Sequence, residues 1–201
     1  MIRYCLFFSL VLAFANGWAQ DTKSKYGMAG YKYGSRDFIV QPAGDTLYGD
    51  VKYGAPAMRT VRIDFKAEGQ KEYLRMEPFM VHSWYASELE YPYESKVMKL
   101  SSEEAYGYSV FMQRILDGEV QLLEFWNGFG ERGFIQTFLQ RKSEKNTLFE
   151  VAYLKMNRQM VDYFDDFPQL VAKIERMAFK KNFKGLVQMV NEYNIWKKQG
   201  W

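Results

Sequence analysis

Residues 107–126, GYSVFMQRILDGEVQLLEFW, constrain the fold more than any other stretch of this chain. Two β-prone runs flank Asp117-Gly118, a pair suited to a tight turn because glycine takes a positive φ without steric cost. Each run is apolar at neighbouring positions: Val110, Phe111 and Met112 in the first, Leu122, Leu123 and Phe125 in the second. Successive strand side chains point to opposite faces, so this hairpin is apolar on both. A sheet built around it needs a second layer.

The end of the chain supplies that layer. Met156, Met160 and Phe164 recur at i, i+4 and i+8 within a predicted helix over 154–164. In DDFPQLVAKIERMAF, Asp166 and Gln169 have capping-box spacing, and Pro168 falls in the first turn, where its missing N–H costs nothing. Leu170, Val171, Ile174, Met177 and Ala178 form its apolar stripe. A third helix is predicted from about 183 to 196, with Leu186, Val187 and Val190 inward. Burying such side chains contributes about 1.5–3 kcal/mol each, before conformational entropy is subtracted.

Upstream the pattern is strands. DFIVQ runs into the turn PAGD, where Asp45 supplies turn chemistry, and TLYGDVKYG returns. There Leu47, Gly49 and Val51 alternate with Tyr48, Asp50 and Lys52, and Gly49 marks a bulge or a close backbone approach. RTVRIDFK predicts a strand with Val61, Ile63 and Phe65 on its buried face, AEGQ a turn, and KEYLRM the next strand. Aromatic residues make up 18% of the chain, which favours a sheet-rich body. The expected fold is α+β. An antiparallel sheet over 37–153, a meander or partly closed barrel, is followed by two or three amphipathic helices over 154–201 in the same domain.

The beginning reads differently. Arg3 precedes a mostly apolar run from Tyr4 to Ala15, and small Gly17 and Ala19 stand at the −3 and −1 positions for cleavage before Gln20. The run is too short to span a bilayer as a helix, so residues 1–19 read as a secretory signal peptide, with a retained anchor as the rival reading. Residues 20–36 read as a flexible leader. Cleavage would remove Cys5, the only cysteine, leaving no disulfide, thiolate nucleophile or thiolate ligand.

The mature net charge, near +2 once Arg3 is removed from a chain of +3, does not point to nucleic acid. It is unevenly placed: over 168–201 seven Lys/Arg face only Glu175 and Glu192. Two readings follow: solvated faces of amphipathic helices, or peripheral contact of the basic C-terminal helices with an anionic membrane surface or another envelope polymer.

Few motifs carry chemistry. GFGERG, residues 128–133, spells a dinucleotide loop, but the following FIQTFLQRK reads as a strand rather than the helix such a site requires. The motif is therefore read as a long hairpin loop, and no cofactor is expected. His82, the only histidine, has no G-x-S-x-G beside it and reads as structural. Asp162, Asp165 and Asp166 are read as helix-end acids rather than a metal site. Asp50 belongs to no D-x-D-x-D-G calcium loop.

The candidate binding residues are Trp84, Tyr85, Tyr91 and Tyr93 in SWYASELEYPYES. Sugar rings stack on such faces, Glu88, Glu90 and Glu94 offer acceptors for hydroxyls, and paired carboxylates also serve glycoside hydrolysis. The competing reading makes these rings strand-edge and core aromatics of an aromatic-rich sheet.

DFIVQPAGDTLYGDV, SVFMQRILDGEVQLLEFW and MVDYFDDFPQLVAKI, in that order behind the N-terminal segment, resemble an uncharacterised family of exported proteins from Bacteroidetes-type bacteria. The resemblance implies export and a sheet followed by helices, and brings no activity, cofactor or site. The leading expectation is a non-enzymatic envelope protein, in the periplasm, at the outer membrane or outside the cell, that binds a glycan or a protein partner. The alternatives are a carboxylate-dependent hydrolase of envelope polymers and a structural or membrane-surface assembly component.

Overall fold

Residues 21–23, 29–31, 35–98, 107–129 and 132–200 are described in a computed structural model of the chain. Strands β1 (Asp21–Lys23) and β2 (Ala29–Tyr31) pair as an antiparallel ribbon within the expected leader. The body is a ten-stranded antiparallel sheet: β3 (Asp37–Val40), β4 (Thr46–Lys52), β5 (Ile63–Ala67), β6 (Leu74–Met76), β7 (Ser83–Tyr85), β8 (Tyr93–Met98), β9 (Tyr108–Leu116), β10 (Val120–Phe129), β11 (Arg132–Arg141) and β12 (Phe149–Glu150). Its spatial order is β12-β11-β10-β9-β8-β7-β3-β4-β5-β6, which joins two meanders where β7 lies beside β3.

The sheet is open but curled. Ile63 and Phe65 of β5 share one core with Phe111 of β9, along with Ile39, Val51, Trp84 and Tyr93. In a flat sheet five strand spacings would hold β5 and β9 about 24 Å apart. Curling also brings α1 (Pro56–Arg59) against β10. Pairing of β9 with β10 stops at Gln113 and Glu124, and beyond that point Phe111 donates its N–H to the Thr60 carbonyl at 2.8 Å.

A helical layer completes the fold, as the two-sided hairpin requires. A 3-10 turn (Tyr153–Lys155) leads into α2 (Met156–Tyr163), followed by α3 (Pro168–Glu175) and α4 (Phe183–Lys198). Met156, Met160, Phe164, Leu170, Ile174, Leu186, Val187 and Val190 are buried against Ile115, Leu122 and Leu139 of the sheet. Leu123, Phe125, Val110 and Met112 form a third cluster with Phe138 and Met98. The hairpin is thus buried on both faces.

Several local expectations are corrected. Val61 is exposed, because a helical turn occupies 56–59 and the chain enters β5 only at Ile63. GFGERG is no long loop: the β10–β11 ladder continues through Gly128↔Gly133 to Phe129↔Arg132. Gly118 does not have the positive φ expected of it. A Cβ there would lie 2.3 Å from the Asn194 side chain, so the glycine makes room for α4. Gly49 fulfils the close-approach reading, since a Cβ would meet the Lys66 carbonyl at 2.1 Å. Asp166 is not the N-cap of α3; Phe167 holds that position and no side chain caps the helix.

Candidate functional site

The four aromatic candidates lie inside the protein, and only Trp84 and Tyr93 share one core cluster. Relative exposure is 0% for Trp84, 2% for Tyr85, 7% for Tyr91 and 6% for Tyr93. Trp84 and Tyr93 are cross-strand partners of β7 and β8, and their rings stack with centroids 4.5 Å apart and planes 6° off parallel. Phe111 meets the Trp84 indole edge-on at 6.0 Å, and Tyr53 leans on it at 5.9 Å. Tyr85 packs on Phe38 at 5.6 Å. Tyr91 belongs to the core beneath the helices. Burial raises the Tyr93 pKa, and a hydrogen bond with Arg59 partly offsets the rise. A sugar needs an open ring face, and these rings are buried among other side chains.

The acids of the same span are also engaged. Glu88 accepts from the Tyr53 hydroxyl at 3.1 Å. Glu94 is buried on β8, where Arg114 of β9 and Lys96 hold its carboxylate, Lys96 at 2.8 Å. Lys96 also donates to Gln121 at 2.9 Å and Gln140 at 2.6 Å, which extends the network across β10 and β11. With both carboxylate oxygens facing cations, Glu94 is arranged as an ion-pair centre.

Asp162, Asp165 and Asp166 separate. Asp162 and Asp165 line a groove of about 410 Å³ with Glu175 between α2 and α3. Among the described residues no three His, Cys, Asp or Glu side chains converge as metal ligands. Asp166 turns the other way. It accepts from the Tyr193 hydroxyl at 2.6 Å and lies 3.0 Å from Lys197 and 3.3 Å from Arg141. Burial alone would raise its pKa, but hydrogen bonds from Tyr193, Lys197 and Arg141 outweigh it and leave the carboxyl below its ordinary value. Burial and the bond to Asp166 push the Tyr193 hydroxyl well up. His82 is exposed and contributes its backbone to the sheet, donating to the Val40 carbonyl at 2.7 Å.

The surface carries a feature that the aromatic platform reading missed. Among the described residues β6 is a terminal strand of the sheet and pairs with β5 alone. Leu74 on it is 61% exposed, and Phe79, just past it, is 68% exposed. Phe79 and Val61 line one shallow groove with Arg62, Arg75 and Pro78. The opposite edge is covered: Gln159 of α2 donates to the Glu150 carbonyl and accepts from the Ala152 N–H beside β12. Pro78, Phe79 and Met80, which follow KEYLRM after Glu77, are the sequence signal for this patch.

No family model matches the chain, and no curated protein or solved structure matches it.

Proposed function

We propose that this chain is an exported, non-enzymatic interaction module of the cell envelope that takes a protein partner at the β6 edge of its sheet. The asymmetry of the two edges carries this reading. A strand edge with no partner among the described residues, beside exposed apolar side chains, is a template for strand addition, and proteins ordinarily cover such an edge, as this one does at β12. Backbone hydrogen bonds would give affinity, and the Phe79–Val61 groove would seat the partner's alternate side chains. The N-terminal segment and the family resemblance support export.

Photo-cross-linking in cells tests the proposal. A photoreactive residue at Leu74 is expected to yield one discrete adduct that Phe79→Asp abolishes, whereas the same residue at Glu150 yields none. Equal yields at the two edges, or an adduct indifferent to Phe79→Asp, would overturn it.

A further inference from the structure

One end of the helical layer is built against its own local preferences. α4 begins without an acid in its first turn, and Lys180, Lys181 and Lys184 surround its N-terminus. α2 likewise has no acid there and carries Lys155 as N-cap, with Arg158 in the first turn. A helix N-terminus is a positive pole, so each of these cations is poorly placed for the stability of its own helix. Between the two, α3 closes with Ala178 N–H to the Lys173 carbonyl and Met177 N–H to the Ile174 carbonyl. That motif wants glycine at its left-handed position, yet Met177 holds it at φ 57.

These misfits share one place. The Asn157 side chain donates to the Ile174 carbonyl at 3.4 Å, tying the start of α2 to the end of α3. Tyr153, Lys181, Asn182 and Phe183 line one mainly apolar groove of about 380 Å³ with Ile135. Around it the apolar side chains point outward: Leu154 is 97% exposed and Met177 71%. Lys155, Arg158, Arg176, Lys180, Lys181 and Lys184 are all exposed, and among the described residues none of them is in an ion pair. Against these six cations stand Glu124 in the groove and Glu175 before Arg176.

We infer that this end docks on an anionic phospholipid surface. Leu154 and Met177 enter the headgroup region, and the lysines and arginines meet lipid phosphates. A negatively charged plane supplies the counter-charge absent from the first turns of α2 and α4, the latter capped by the neutral Asn182 side chain. Protruding apolar side chains among cations fit a surface with a polar skin over hydrocarbon. A solvated face would have no use for a methionine in a glycine position. The contact lies at the helix ends and their connections, not along the basic helix faces.

The test uses the full chain and vesicles of two parts phosphatidylcholine to one part phosphatidylglycerol. An environment-sensitive dye on Leu154→Cys, in a Cys5→Ser background, reports contact by this end even if the apolar N-terminal segment also binds. The dye is expected to shift blue on these vesicles, to stay unshifted on pure phosphatidylcholine, and to lose its shift at high salt. Lys180→Gln with Lys181→Gln is expected to weaken the docking by roughly 25-fold, at about fivefold per charge. Met177→Gly separates docking from folding: it should raise the melting temperature while reducing the blue shift. An unshifted dye on anionic vesicles overturns the inference, as does an equal shift on neutral ones. Binding to soluble polyglutamate with vesicles ignored would overturn it in favour of an acidic protein partner.

Discussion

Asn194 shows how much a single side chain can contribute without any catalytic chemistry. Buried on α4, it accepts from the Val120 N–H and donates to the Val120 carbonyl, both at 2.8 Å, and so acts as a strand partner where β10 begins. Gly118 gives it room. Asn194→Ala would strand two buried backbone groups, at about 1–3 kcal/mol for each. Gly118→Ala would force the same amide aside. The two changes act on one contact, so urea unfolding of the double variant should show a loss smaller than the sum of the singles. Strict additivity would refute the coupling. The turn itself was readable from Asp117-Gly118, but the reason for its glycine was not. Sequence supplied a φ argument; the structure supplied a neighbour 76 residues away, Asn194 against Gly118.

Among the elements, strands β8 to β11 are joined by charge as well as by backbone. Glu94, Lys96 and Arg114 sit on the same face as Met112 and Leu123, and the glutamines of β10 and β11 extend the polar patch. A buried ion pair contributes little relative to apolar side chains of the same size, but losing one member leaves uncompensated charge. Glu94→Ala is therefore expected to cost about 3–5 kcal/mol in urea unfolding. Replacing Glu94, Lys96 and Arg114 together by Met is expected to be neutral or stabilising, and a triple variant as damaged as the single one would contradict this account. Alternation predicted which residues share each strand face here. It did not predict that Glu94, read as an acceptor for hydroxyls, would be consumed by two cations.

At the scale of the whole molecule, Asp166 is where sheet and helices are fastened. It precedes α3 and binds Tyr193 and Lys197 of α4 and Arg141 of β11. Its folded pKa is depressed, so its contribution is fully present above the unfolded value, about 4, and is lost as pH falls through the lower folded value. Denaturant unfolding as a function of pH should show Asp166→Asn less stable than the parent at neutral pH. Below about pH 4 the two should converge, because the parent then loses what the variant never had. A constant difference down to the acid limit would exclude this linkage.

Periodicity, turn residues and length are local properties, and they determined what local rules can determine: strands before helices, apolar faces inward, a hairpin that demands a second layer. Met156, Met160 and Phe164 are buried as their spacing required, and Pro168 opens its helix. The site was a different kind of question. Trp84, Tyr85, Tyr91 and Tyr93 look the same in sequence whether they line a cleft or fill a core. The curl of the sheet, which brings β5 and β9 around one interior, encloses Trp84 and Tyr93, while Tyr91 lies beneath the helices and Tyr85 against Phe38. The same curl, and the choice of β6 as the last strand, decided which apolar side chains were left for solvent. Burial is a relation between segments far apart in the chain, set by how the whole surface closes, and no single stretch of residues contains it.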